Sequence, residues 1–137
     1  RKFTTLKIAD TVTIGGVKFK ITKIEKNSFR GYKYLSTVTI GSNVTSIGDT
    51  AFYGCGKLTA VTVGKSVKTI GAKAFYGCKK LRTVVIKNTQ MTGKTVGSGA
   101  FTGTYAKMTV KVPSKKLKSY KTILLKRGVS KKAVIKK

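Results

Sequence analysis

Apolar residues return along this chain with a long, regular period. The segments NSFRGYKYLSTVTIGSNVTSIG, TAFYGCGKLTAVTVGKSVKTIG and KAFYGCKKLRTVVI align without gaps, so that Phe29, Phe52 and Phe75 recur every 23 residues. Other columns keep that spacing: Leu35, Leu58 and Leu81; Val38, Val61 and Val84; Ile40, Val63 and Ile86; Ile24, Ile47 and Ile70; Ile21, Val44 and Val67. A fourth copy, GSGAFTGTYAKMTVKV, places Phe101 26 residues after Phe75. The extra residues fall in KNTQMTGKT, where a loop is expected to bulge without breaking the array. Upstream, GVKFKITKI matches the second half of a unit and puts Val17 23 residues before Ile40.

Within a unit, the L-x-x-V-x-I/V run alternates apolar and polar positions with the period of two that a half-buried strand requires. The V-x-x-I-G run begins a return leg that Gly48 or Gly71 is expected to turn sharply. A-F-Y-G-C is too short for a full helix and reads as one helical turn. A single unit of this kind cannot bury its apolar face, whereas stacked neighbours share a continuous core. At the far end Pro113 stops the last strand and Ser114 is placed to cap a helix over residues 115–126. Leu117, Tyr120, Leu124 and Ile123 form that helix's apolar stripe, Gly128 ends it, and a short strand follows around Ala133 to Ile135. The expected organisation is an entry strand or N-terminal cap over 1–16, a solenoid over 17–112, and a cap helix and strand over 113–137.

The phrase L-x-x-V-x-I followed by V-x-x-I-G-x-x-A-F-x-G-C, as it stands in LTAVTVGKSVKTIGAKAFYGC, resembles the BspA-like leucine-rich repeats of bacterial surface proteins. The match covers roughly residues 17–112, and V-P-S-K-K-L-K-S-Y is similar to the C-terminal ends of gut-bacterial members. Asn27-Ser28 replaces the alanine before Phe29, and Gly103-Thr104 replaces G-C after Phe101, so the outer copies have drifted. The resemblance implies a β-rich leucine-rich-repeat solenoid of about four 23-residue repeats, each with short strands and one helical turn, closed by a C-terminal capping helix. It also implies a secreted or cell-surface module that binds host matrix proteins or other cells, and it carries over no catalytic residue.

Composition narrows the function. The 137 residues suit one domain, and 40% hydrophobic content is enough for a core. Thirty Lys+Arg against three Asp+Glu and no His give a net charge of +27. Only Arg1, Arg30, Arg82 and Arg127 are arginines; the rest are lysines, which suit diffuse attraction better than bidentate base readout. Asp10, Glu25 and Asp49 are the sole acids, so the usual general base, metal ligands and paired carboxylates are missing. An enzyme, a metal site and a cofactor are therefore not expected. No apolar stretch approaches a membrane span, and RKFTTLKIAD has no signal-peptide core. Opening on Arg1 reads as a processed chain or a piece of a longer parent.

Four groups of residues are candidates for chemistry. Cys55 and Cys78 hold equivalent repeat positions. Rungs about 4.7–4.9 Å apart permit a disulfide, and the preferred alternative is two thiols stacked as small core residues. The strand positions pointing away from the core, Thr37, Thr39, Ala60, Thr62, Thr83 and Val85 with Thr109 and Lys111, are expected to form a concave partner-binding face, although threonine also suits any solvent-facing strand. Tyr53 and Tyr76, with Tyr32 and Tyr34 nearby, form an aromatic strip for sugars or simply cover the outer turn. Lys115, Lys116, Lys118, Lys121, Lys126, Arg127, Lys131 and Lys132, followed by Lys136 and Lys137, are a basic run that either attracts a polyanion or keeps a β-edge soluble.

The leading functional expectation is an extracellular or cell-surface adhesion module that engages a host or bacterial surface protein or glycan. The alternative is a lysine-rich electrostatic anchor to an anionic cell-wall polymer such as teichoic acid, to glycosaminoglycan or to nucleic acid. Sequence-specific nucleic-acid binding is not expected, since no recognition motif is present. A monomer is expected.

Overall fold

The computed structural model describes residues 2–137; Arg1, the first residue of the expected N-terminal cap, lies outside the described residues. In chain order the strands are β1 (Thr5–Lys7), β2 (Thr11–Ile14), β3 (Val17–Lys20), β4 (Lys23–Ile24), β5 (Thr37–Thr39) and β6 (Ser46–Ile47). After them come β7 (Ala60–Val63), β8 (Thr69–Ile70), β9 (Thr83–Ile86), β10 (Thr109–Lys111), helix α1 (Leu117–Lys126) and β11 (Val134–Lys136). This is a leucine-rich-repeat type of fold: β1, β5, β7, β9, β10 and β11 make one six-stranded sheet, and every neighbouring pair in it is parallel. The return legs β4, β6 and β8 make a second parallel sheet, which a bridge from Ile70 to Val96 extends by one rung.

The apolar columns meet between these sheets. Leu35, Leu58 and Leu81 are fully buried, as are Phe52, Phe75, Val44 and Val67. Phe29, Phe52, Phe75 and Phe101 stack with ring centroids 5.3 Å apart at each step. A third line of contacts joins the rungs at the turns: the amides of Phe29, Phe52 and Phe75 donate to the carbonyls of Ala51, Ala74 and Ala100, each at 2.8 Å. The intervening amides close local turns, Tyr53 onto Thr50 at 3.1 Å and Cys55 onto Phe52 at 3.2 Å. Alternate amides thus face the next rung rather than a helix, so A-F-Y-G-C is a series of turns and not the helical turn expected for it. Gly54 and Gly77 sit there at φ of 69° and 72°, the left-handed conformation that favours glycine.

Gly48 and Gly71, placed at the turn, are not at positive φ. They are sites of close approach: a Cβ at Gly48 would lie 2.5 Å from the Lys26 amide nitrogen of the preceding rung. The first rung also differs from the period. Val17 does not join the Ile40 column; it pairs antiparallel with Ile14 in the β2–β3 hairpin. Leu6 instead aligns with Val38, an offset of 32 residues where the interior rungs have 23. The hairpin is therefore an insertion between Ile8 and Ile21. Its register puts Val12, Phe19, Ile14 and Val17 on one side, and they are 42%, 49%, 63% and 56% exposed.

The C-terminal end is held by specific bonds. Tyr120 of α1 is fully buried; its hydroxyl donates to Asn88 Oδ1 at 2.7 Å and accepts the Met91 amide at 3.1 Å. The Arg127 guanidinium donates to the carbonyls of Val96 at 2.7 Å and Gly93 at 2.6 Å. Both partners belong to the inserted KNTQMTGKT stretch or its border, so the helix clamps that loop rather than leaving it to bulge. Ser114 makes no side-chain cap; Pro113 stands at the N-cap position of a short 3-10 turn, Ser114–Lys116, before α1. Gly128 ends the helix at φ 102°, and β11 then adds the sixth strand.

Candidate binding face

Strand alternation sends one set of side chains into the core and leaves the other on the outward side of the six-stranded sheet. Register fixes two columns there. One runs Thr5, Thr37, Ala60, Thr83, Thr109, Val134, and the other Lys7, Thr39, Thr62, Val85, Lys111, Lys136. The structure thus brings Thr37, Thr39, Thr62, Thr83 and Val85 onto one surface. It adds Thr5, Lys7, Val134 and Lys136, which the repeat period did not reveal because their strands lie at offsets of 32 and 25 residues from their neighbours. The centre of this face is short and uncharged, while lysines stand at both sides of it. Thr37 Oγ1 donates to Thr5 Oγ1 at 3.2 Å, tying the first column across two rungs.

Beside the second column lies a cleft of about 450 Å³, lined by residues of the first four rungs that include Lys7, Thr39, Thr62, Lys65 and Lys87. Its one acid, Asp10, accepts the Ser42 amide through Oδ1.

The tyrosine strip is engaged within the protein. Tyr53 and Tyr76 stack on each other at 5.1 Å, Arg30 covers Tyr53 at 4.6 Å, and Lys73 lies 5.8 Å from the Tyr76 ring centre. Their ring faces are occupied, which favours the covering role. In the basic run, Lys115, Lys118, Lys121, Lys126, Lys131 and Lys132 are exposed and Lys116 is half-buried. Arg127 is committed to the loop carbonyls described above and belongs with the fold. Among the described residues, no group of three or more His, Cys, Asp or Glu is placed to hold a metal, and no helix is long and apolar enough to cross a membrane.

The family described as BspA type leucine rich repeat region matches residues 3–124, in six copies. The chain belongs to the BspA-type leucine-rich repeat family. A leucine rich cell surface protein from Faecalibacterium prausnitzii is 31% identical with a TM-score of 0.65, over 83% of this chain and 31% of that one. A leucine-rich repeat protein from Bacteroides ovatus is 25% identical with a TM-score of 0.71, over 98% of this chain and 31% of that one. The chain therefore spans less than a third of the length of either structure. Comparison with curated proteins gives no match.

In this BspA-type array the two cysteines are free, buried thiols in one core column. Cys55 Sγ donates to the Phe29 carbonyl and Cys78 Sγ to that of Phe52, each at 3.2 Å. Burial, with a smaller contribution from neighbouring Cys55, pushes the Cys78 thiol up to about 12, and burial raises Cys55 as well. A value raised above that of the unfolded chain means the folded state holds its proton more tightly. The stabilising contribution is complete below about pH 9 and is lost as pH climbs toward 12. Cys78→Ala is expected to flatten the fall of Tm between about pH 8 and pH 11. An unchanged slope would assign the alkaline loss to other groups.

Proposed function

We propose that this chain is a non-enzymatic, surface-exposed binding module whose outward sheet face engages a protein or glycan partner. The observation that carries this reading is the pair of continuous outward columns. Six parallel strands present side chains that have no part in the core, with small threonine and alanine positions at the centre where a partner can approach the sheet. The family, and a neighbour described as a cell surface protein, support the location. The 23-residue period supports a solenoid of about four regular repeats whose strand side is concave, the geometry that repeat proteins use for binding.

The competing reading makes the rungs a rigid scaffold that holds lysines against an anionic polymer. Salt separates the two, because counterion release makes polyanion binding fall steeply with salt. On an array of glycans and matrix proteins, binding through the outward face is expected to persist from about 0.15 M to about 0.5 M NaCl, where long-range attraction is largely screened. Disappearance of the protein and neutral-glycan signals by about 0.3 M NaCl would transfer the function to the lysine shell.

A further inference from the structure

At the ends of β1, β5 and β7 the chain leaves the outward face through Ala9, Gly41 and Gly64, which share one column of the array. A Cβ at Gly41 would stand 2.5 Å from the Ile8 carbonyl oxygen, and one at Gly64 would stand 2.6 Å from that of Gly41. Close rung packing therefore keeps positions 41 and 64 bare, and with Ala9 they leave little more than backbone on this side of the cleft of about 450 Å³. The next residue in that column is Lys87, which follows Val85 and Ile86 of β9 and closes one end of the cleft. Lys7 of β1 stands near the other end, three strands away or about 14 Å at ordinary strand spacing, and Lys65 lies between them on the rim. Thr39 and Thr62 bring hydroxyls to the same lining.

This side discriminates between ligand classes. Three amides that border it are used between rungs: those of Ile8, Ile40 and Lys87 donate to the carbonyls of Thr39, Thr62 and Val63 at 2.9, 2.9 and 3.0 Å. An extended peptide would find those three donors already committed, which weakens the main-chain bonding that strand addition relies on. Side-chain hydroxyls and mobile ammonium groups remain. They suit a ligand that carries many hydroxyls together with separated negative charges, recognised by lysines as point charges rather than by a guanidinium fork. Asp10 is the only acid in the lining, and its Oδ1 is already held by the Ser42 amide.

We propose that the cleft rimmed by Lys7, Lys65 and Lys87 binds a short anionic stretch of a glycan, a saccharide bearing carboxylate or sulfate groups, with Thr39 and Thr62 bonding to sugar hydroxyls. The inference rests on the outward face being the binding face and assigns the ligand class at one edge of it. Calorimetric titration of the full chain with a sulfated heparin-derived tetrasaccharide, a hyaluronan tetrasaccharide and neutral chitotetraose tests it and separates the sulfate and carboxylate sources. Binding of at least one charged sugar, and none of the neutral one, is expected. The Lys65→Ser/Lys87→Ser protein is expected to bind at least about tenfold more weakly, whereas Lys131→Ser/Lys132→Ser, with the same change of charge, moves affinity by less than about threefold. Thr62→Ala is expected to weaken binding without altering its salt slope.

Equal losses in the two lysine pairs would overturn the proposal in favour of diffuse charge, and failure of both charged sugars to bind would overturn it outright. A Thr37→Arg/Thr83→Arg protein distinguishes the two levels of the reading. If it loses array partners that Lys65→Ser/Lys87→Ser retains, and the tetrasaccharides do not bind, the outward face stands and the cleft assignment falls.

Discussion

The Phe75→Ala protein is expected to lose about 3–5 kcal/mol of unfolding free energy, the range found when a buried phenylalanine site is emptied. Phe75 is fully buried and lies between the parallel rings of Phe52 and Phe101, 5.3 Å from each. Its own amide is bonded to Ala100, so the backbone around it is pinned and cannot collapse into the space left behind. The loss also has a directional consequence. In an array where each rung contacts only its neighbours, weakening an interior interface uncouples the rungs on either side. Urea denaturation followed by circular dichroism is expected to show a lower midpoint and a broadened or two-step transition. Phe29, partly exposed at the start of the stack, is expected to tolerate the same change at smaller cost. A Phe75→Ala protein that unfolds in one sharp step within about 1 kcal/mol of the parent would contradict the stacked core.

Tyr120→Ala is the second large effect, and its size has two parts. Removing the buried ring costs about 3–5 kcal/mol. Removing the hydroxyl orphans buried groups, for about 1–3 kcal/mol more. Among the described residues Asn88 is the buried polar side chain and its Nδ2 has no partner, so its Oδ1 contact with Tyr120 at 2.7 Å is the side-chain bond that compensates its burial. The Met91 amide depends on the same oxygen. Tyr120→Phe isolates the second part: it keeps the ring and is expected to destabilise by about 1–3 kcal/mol. Hydrogen exchange gives the spatial readout. Amides at 88–97 and in α1 are expected to lose protection together in both variants, since the helix and the inserted loop hold each other. Protection lost in the helix alone would show that the clamp does not act on the loop.

The interior rungs were legible because each one repeats the same local problem with the same answer. Leu58, Val61 and Val63 occupy the places of Leu35, Val38 and Ile40, and spacing alone identifies the column, the strand and the buried side. The first rung was legible only as an entry strand within 1–16, not in its register. The inserted hairpin carries alternating apolar residues of its own, so Val17 matched a column in sequence that Ile8 holds in space. The outward face was read at its centre and missed at its ends for the same reason: Lys7 and Lys136 sit on strands whose offsets depart from 23. The cleft had no sequence signal. It arises from glycines kept bare by neighbouring backbone, and those contacts exist only once the rungs are stacked. The turn in A-F-Y-G-C was misread because local composition cannot tell whether an amide bonds within its own turn or to the next rung.

The structure divides the basic residues among different roles. Arg127 turns inward to the Val96 and Gly93 carbonyls, the cap lysines remain on an exposed surface, and three lysines gather around a cleft next to the threonine columns. A net charge of +27 sets the long-range attraction, while the short-range fit is assigned to the sheet.

The most direct test sets the outward face against the cap on the same glycan and matrix-protein array at about 0.5 M NaCl, where long-range attraction is screened. Thr37→Arg/Thr83→Arg blocks the face outside the cleft while leaving every lysine in place, and Lys115→Ser/Lys118→Ser/Lys131→Ser/Lys132→Ser strips the cap while leaving the face open. Loss of the parent's signals in the arginine protein and their retention in the serine protein is the predicted result. Signals that survive the arginines and vanish with the cap lysines would contradict it.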